Sequence, residues 1–574
     1  MQSTKEELKP SFKLSNLLNT IQNRSLNKRS LKKELQKGMN SLENTMIAFN
    51  KIAKNQGAGT YGIDFKTIDG KDLEDIKKLN NNYRLNKYQP KPVRRVNIPK
   101  PNGKERPLGI PTINDRVQQQ KMYQLLNPFY EVKFSEWNFG FRPGKSCHNA
   151  IKRVKQRFQG LKWLIKIDIK GYFDTIDHHI LIKMLEKDIH KNKTLQTIHK
   201  WLKAGIMDNY QFQQTYSGSP QGGIISPLLA NIYLNQIDIK INELIEKGIP
   251  IKKTNPEYSR LIRKQKGKSI KVDRYINQNQ NIRVEYIRYA DDFIIGCTGT
   301  REQAEKMKDK VINWLKDLKL EIAYDKSKIV TATKGTKFLS YIIKVNPTTA
   351  NIKKKTTKKS LNGKVRILIP KEEINNRCHK WTKKGKIIQD TQTVYRDRLE
   401  IIRTLKRVVE GIVRYFAYGE NLNQLMKLAY IAEYSCLKTL AGKEKTSLAR
   451  VRKKLNIGNS WGVKYTIKNK PKYEIWSRFN WEKIKRMRNY KGINPDIIPN
   501  PNIYLGRTHL TDLLKAEQCE LCQTKNCRLE IHHTKTVRNR NWQSILNKET
   551  MALCKRCHQF KTNQQRNNFN RINK

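Results

Sequence analysis

The sequence predicts a multidomain α+β chain, on three observations. Between residues 81 and 345 short β-rich runs alternate with helical stretches, the pattern of an α+β core. From 391 to 455 the apolar period turns helical. Five of the nine cysteines (Cys519, Cys522, Cys527, Cys554 and Cys557) crowd the last stretch, as in a small metal-bound module. A length of 574 residues fits several units, about three or four by the length prior.

In chain order, residues 1–80 are polar and helical in pattern and end in the turn-rich stretch Asn55 to Asp64. Residues 250–283, inside the α+β core, form a Lys/Arg/Asn-rich insertion read as a basic surface excursion. Residues 346–390 are Lys- and Thr-rich with few large apolars and read as a basic connector. In 391–455, Leu399, Ile402, Leu405, Val409 and Ile412 recur on one face, followed by Leu422, Leu425, Met426 and Leu428. That stripe is bundle packing. The opposite faces carry Arg403, Lys406, Arg407, Arg414, Lys438, Arg450, Arg452 and Lys453, a density beyond what solubility requires. Residues 456–506 interleave cations with Trp461, Tyr465, Tyr473, Trp476, Phe479, Trp481 and Tyr490, which suits phosphate contact and base stacking in a basic DNA-binding segment. Residues 507–574 form the cysteine-rich module.

Lys+Arg 116 against Asp+Glu 50 leaves a net charge of +66. Self-repulsion on that scale is explained by a polyanionic partner. Nucleic acid fits better than membrane, since no apolar run approaches the ~18 residues a span needs. Glu6, Glu7 and several lysines precede any apolar stretch, so neither a secretory nor an organelle-import signal is expected. Clustered cysteines fit metal ligation in a reducing compartment.

The chemistry is carried by acids placed on apolar strands. Asp291 and Asp292 interrupt Ile287-Arg288-Tyr289-Ala290-Asp291-Asp292-Phe293-Ile294-Ile295, and Asp168 follows Ile165-Lys166-Ile167 in a matching frame. Charges in such runs are costly to bury without a metal or counter-charge. Three carboxylates from two strands are what a pair of Mg²⁺ ions needs for in-line phosphoryl transfer. An ordinary hairpin tip also favours Asp, so the pair alone does not decide. Its neighbours do. In Ile98-Pro99-Lys100-Pro101-Asn102-Gly103-Lys104-Glu105-Arg106, a turn carries Lys100, Lys104 and Arg106, cations suited to a triphosphate. In Ser217-Gly218-Ser219-Pro220-Gln221-Gly222-Gly223, small residues permit close backbone approach to a substrate.

The order of these segments resembles the reverse transcriptases encoded within group II introns, over most of the chain. Asn138-Phe139-Gly140-Phe141-Arg142-Pro143-Gly144-Lys145-Ser146-Cys147-His148, Gly109-Ile110-Pro111-Thr112 and Phe338-Leu339-Ser340-Tyr341 resemble further motifs of that family. The resemblance implies right-hand fingers and palm in 81–345 and a helical thumb, or maturase domain, around Gly411-Ile412-Val413-Arg414-Tyr415-Phe416. It implies that Asp168 and Asp291 ligate two Mg²⁺ ions and that Asp292 supports them. Phe173 would clash with a ribose 2′-hydroxyl and select dNTPs. Gln221 would contact the nucleotide or template, and Lys100, Lys104 and Arg106 the triphosphate. Asp174 and Asp177 read as structural. The segment Ser41 to Asp69 resembles the extension that embraces the template, and the maturase region implies binding of the host intron RNA.

Cys519-x-x-Cys522 and Cys554-x-x-Cys557 have zinc-ribbon spacing, with Cys527 spare. Glu530-Ile531-His532-His533 lies between the pairs and His558 follows the last cysteine. The module resembles an HNH endonuclease of the ββα-metal type, with which such intron proteins cleave target DNA. That implies His533 as general base, and His532 and His558 on a Mg²⁺ or Mn²⁺ ion. Two positions depart from the pattern: Thr562 stands where another histidine is usual, and Glu549 where an asparagine is common, with Asn547 close by.

The leading expectation is therefore an RNA-directed DNA polymerase that assists splicing of its host intron RNA and cleaves target DNA during homing. The alternative is an RNA-binding maturase with a silent polymerase and a non-cleaving zinc module. A defence-system reverse transcriptase is disfavoured by the maturase and HNH-like regions. The expected locations are the bacterial cytoplasm, plastid stroma or mitochondrial matrix, without secretion.

Overall fold

The computed structural model describes residues 14–31, 33–68, 71–99, 103, 105–208, 211–214, 217–218, 222–247, 253–254, 275–276, 282–347, 362–467, 470–476, 479–488, 496, 498–499, 518–525, 527, 529–533 and 550–572. Its centre is a four-stranded antiparallel sheet in the order Lys328–Thr331, Trp163–Ile167, Asp292–Cys297, Val284–Tyr289. Period-two alternation splits these strands between two cores. Ile165, Ile167, Tyr286, Phe293 and Ile295 enter one, and Leu164, Ile287 and Ile294 the other. A sheet covered on both faces explains why its strands read as nearly continuous apolar runs.

The first core joins the sheet to the N-terminal helices. Leu14–Leu26, Lys33–Asn40 and Leu42–Ala53 pack on the long helix Ile113–Lys133, and Leu14, Leu17, Leu35 and Met39 share a core with Leu125 and Phe129. Local chemistry fixes the boundaries. Ser41 accepts from the Asn44 amide at 3.2 Å to start one helix, and Asp72 and Asp75 form a reciprocal capping box on Leu73–Arg84.

Forward of the sheet, Val93–Pro99 and Glu105–Ile110 form an antiparallel hairpin extended by Ile206–Asp208 and Gln211–Gln213. Behind it, the second core continues through Tyr341–Val345 and Val365–Leu368 into the helices Arg398–Tyr415, Asn423–Lys443 and Leu448–Lys454. On Arg398–Tyr415 the buried stripe is Ile401, Ile402, Leu405, Val409 and Val413. Leu399 and Ile412 flank it, half-buried, rather than forming its centre.

The fold corrects two expectations. Residues 346–390 are more than a connector: Val365, Ile367, Ile374, Cys378 and Trp381 are buried in the second core, and Trp381 donates to Asp390 at 3.1 Å. A few well-spaced apolars suffice because each is fully used. In 456–506, most described aromatics are not free for bases. Trp461 and Trp476 stack at 5.3 Å inside the core, Phe479 is buried, and Arg403 covers the Tyr465 ring at 4.5 Å. Trp461 also donates to Glu433 at 3.0 Å. Tyr473 is exposed, Tyr490 lies outside the described residues, and most of 250–283 does too.

Residues Leu529–His533 and Thr550–Cys554 pair antiparallel and lead into the helix Lys555–Ile572. Among the described residues no helix is long and apolar enough to cross a membrane.

Candidate active site and metal centre

Tyr289 pairs with Asp292 across a two-residue turn made by Ala290 and Asp291. Ala290 has φ 59°, a left-handed conformation that a hairpin of this length needs and a non-glycine residue rarely adopts. Ile167 pairs with Phe293, so the chain leaving that strand puts Asp168 at the same end of the sheet. The Asp168 amide donates to Ser327 Oγ at 3.1 Å and its carbonyl accepts from Ala323 at 2.9 Å. Lys326 Nζ lies 3.3 Å from the Asp168 carboxylate, and Lys166 Nζ 3.3 Å from that of Asp292.

Burial pushes the Asp291 carboxyl above its ordinary range, and the charges of Asp292 and Asp168 push it further, against the pull of Arg106. Burial also raises Asp292, opposed by Lys166 and by the Leu339 amide, which donates to it at 3.2 Å. Hard carboxylate oxygens whose burial and mutual repulsion disfavour their own charge fit a divalent cation.

Beneath the turn lies a buried network that the sequence motifs do not disclose: Arg288 Nε donates to Asp238 at 2.8 Å, and Arg288 Nη1 donates to the Ala290 carbonyl at 2.9 Å and to Asn231 at 3.0 Å. Asn231 donates to the Gly140 carbonyl at 2.8 Å. A Cβ on Gly140 would stand 2.2 Å from the Ala290 nitrogen, so only glycine admits this approach. The sequence does carry a signal for Arg288, a charge interrupting an apolar strand, and it applies as well to this cation as to the acids beside it. Arg142 is also structural: it is buried, pairs with Glu131 at 2.7 Å and donates to the Asn138 carbonyl at 2.9 Å.

Phe173 sits on the short helix Tyr172–Thr175, its ring 6.4 Å from that of Phe141, which is itself 6.5 Å from Tyr289. Arg106, on the forward hairpin, is exposed and close enough to act on Asp291. Lys100, Lys104 and Gln221 lie outside the described residues. Gly222, at φ 121°, packs where a Cβ would meet the Gly109 carbonyl at 2.3 Å, which seats the glycine-rich turn against the hairpin. Asp177 caps the helix His178–Ile189 and pairs with Lys319 at 2.8 Å, a structural role.

At the C-terminus the ligand atoms of Cys519, Cys522, Cys554 and Cys557 all lie within 4.8 Å of one another, a set suited to tetrahedral zinc. The Thr524 hydroxyl beside Cys522 pulls that thiol down to about 6. Cys527 stands apart, on the Thr524 carbonyl at 3.4 Å. The rings of His532 and His558 lie 4.9 Å apart, and His558 Nδ1 meets Glu530 at 2.5 Å. Glu530 thus joins the histidine pair, which the motif by itself does not indicate. His533 is on the strand, with its side chain outside the described set, as are Asn547 and Glu549. Thr562 donates its hydroxyl to the His558 carbonyl at 2.8 Å.

The sequence matches the reverse transcriptase (RNA-dependent DNA polymerase) family over residues 98–343 and the type II intron maturase family over residues 356–500. It is 34% identical over 567 residues to the group II intron-encoded protein LtrA of Lactococcus lactis subsp. cremoris, covering 89% of this chain and 92% of that protein. The chain belongs to the group II intron-encoded reverse transcriptase/maturase family. A second relative, the putative COX1/OXI3 intron 1 protein of Saccharomyces cerevisiae, is 29% identical over 586 residues, 93% of this chain and 69% of that protein. Protein YkfC of Escherichia coli is 35% identical over 332 residues, 56% of this chain and 83% of its own length. Membership implies divalent-metal use, with intron RNA and nucleotides as substrates. The reverse transcriptase match contains all three acids, and the maturase match begins within the supposed connector.

Proposed function

We propose that this group II intron protein synthesises DNA on an RNA template at Asp168, Asp291 and Asp292, assists splicing of its host intron RNA, and acts on target DNA through its C-terminal module. The observation that carries the polymerase reading is the gathering of three acids at one end of the central sheet, where burial and mutual repulsion hold Asp291 above its ordinary range. When bound there, two Mg²⁺ ions would supply Lewis-acid stabilisation of the transferring phosphoryl group. The residues themselves bind and orient: Arg106 faces the acids from the forward hairpin with a charge for the triphosphate, Phe173 limits room at the sugar, and the Asp292–Leu339 bond fixes the adjoining turn.

Primer extension on an RNA template tests this. Asp291→Ala is expected to abolish synthesis, because the metal pair loses a ligand, while splicing of the intron persists. Undiminished extension would overturn the assignment. In the module, Cys519, Cys522, Cys554 and Cys557 would hold structural Zn²⁺, and His532 and His558, whose rings lie 4.9 Å apart, would hold a nuclease metal with His533 as base. The second reading, a zinc-stapled DNA-binding module without cleavage, is favoured by Thr562, whose hydroxyl is occupied by its own helix.

A further inference from the structure

We propose that Phe141 contacts the substrate: its ring lines the nucleotide-insertion pocket, packs against the base pair being formed and contributes to nucleotide selection. The inference rests on the polymerase reading above. Phe141 is 45% exposed, and its backbone is left-handed at φ 56°. Folding alone gives no reason for this combination. A large apolar ring gains little where it stays in water, and a non-glycine residue is strained at that φ. Strain of this kind persists only where the surroundings over-determine it.

Here they do. On one side Gly140 is pressed against Ala290, so the loop cannot shift without moving the catalytic turn. On the other, Arg142 is anchored by Glu131 and by the Ser135 and Asn138 carbonyls. The segment between these anchors can only present its ring outward. It does so between Phe173, at 6.4 Å and edge-on, and Tyr289, at 6.5 Å. Tyr289 leads directly into the acid-bearing turn, and Phe173 is the residue proposed at the sugar. A flat, partly apolar solute between these rings and the acids is a nucleobase in its pair. Aromatic side chains hold bases through their π-faces without needing hydrogen bonds.

The test uses the full chain with an RNA template, a DNA primer and single dNTPs, comparing wild type with Phe141→Ala, Phe141→Leu and Phe141→Tyr. We expect Phe141→Ala to raise the KM for the correct dNTP by at least about fivefold, with a smaller change in kcat and an altered ratio of wrong to right insertion. Phe141→Tyr should stay near wild type and Phe141→Leu fall between. Thermal midpoints should hold, because the exposed ring packs little. Phe173→Ala should instead change ribonucleotide use. Wild-type KM and insertion ratios in Phe141→Ala would overturn the inference while leaving the polymerase reading intact. So would equal losses of activity and thermal midpoint in all three variants, which would make the ring a prop of the loop. A wild-type chain that extends no primer would overturn the polymerase reading itself.

Discussion

The amide of Leu339 donates to the Asp292 carboxylate at 3.2 Å, while the carbonyl of the same Leu339 accepts the Tyr415 hydroxyl at 3.0 Å. One residue therefore ties Asp292, one of the three clustered acids, to the last turn of the helix Arg398–Tyr415. Leu339 and Ser340 are both left-handed, at φ 47° and 60°, so the turn is strained and relies on these bonds. Tyr415 is itself held, since its carbonyl meets His148 Nε2 at 2.9 Å. Tyr415→Phe removes one bond, worth about 0.5–1.5 kcal/mol. We expect shorter products per binding event in extension with a trap, with little change in single-nucleotide KM. Unchanged product length would show that the thumb is held without this link.

The Gly140 contact predicts a sharper loss. In Gly140→Ala the new methyl overlaps the Ala290 backbone, and the turn bearing Asp291 must move. Displacement of about 1 Å at a reacting centre costs on the order of a hundredfold in rate. Extension should fall by that order while the zinc content of the C-terminal module, measured as a control for folding elsewhere, stays normal. Retained activity would mean that the loop retreats and the acids stay put.

Lys121 offers a test of stability. It is fully buried, donates to Asn80 at 2.7 Å, and has its pKa lowered well below the usual lysine value, first by burial and then by Lys193. The unfolded chain then binds more protons, so stability rises with pH between the depressed folded pKa and about 10.4, where the unfolded lysine titrates. The cost is complete below that window and gone above it. Lys121→Met should stabilise the fold at neutral pH by about 1–3 kcal/mol, since Asn80 keeps the Thr45 hydroxyl at 2.9 Å. Denaturant midpoints at several pH values should show the advantage shrinking as pH rises. A less stable variant would mean that the ammonium is well satisfied where it lies.

How much of this was legible depends on the range of the forces involved. The acids could be read because each stands in or at the end of an apolar strand run, and the stripe on Arg398–Tyr415 because its period is local. Arg288 violates the pattern equally, but its partner Asp238 lies fifty residues upstream, on the helix Ser226–Lys247, so its role required the fold. Trp461 and Trp476 misled for a related reason. An aromatic among cations has the same local sequence whether it awaits a base or fills a core, and here Glu433 and the stacked ring decide. The left-handed φ falls on Ala290 and Phe141 themselves rather than on a glycine, so neither residue type announces it.

The reading proposed for the C-terminal module separates four cysteines that would fold it around zinc from histidines that would serve cleavage. Cys519→Ser should release zinc and unfold the module locally, because thiolate coordination supplies much of a small zinc domain's folding free energy. His533→Ala should keep zinc but end second-strand cleavage, because a general base must reach the attacking water. Thr562→His is the more discriminating change. Position 562 lies one turn beyond His558 on the same helix, so a histidine there shares its face, and the change releases the hydroxyl now bound to the His558 carbonyl. If ligand number limits metal affinity, cleavage at low Mg²⁺ or Mn²⁺ concentration should rise. Efficient wild-type cleavage unaffected by the substitution would show that His532 and His558 suffice. Normal DNA binding without cleavage in either protein would leave the zinc as a staple for a DNA-binding surface, and second-strand cutting would have to come from another nuclease.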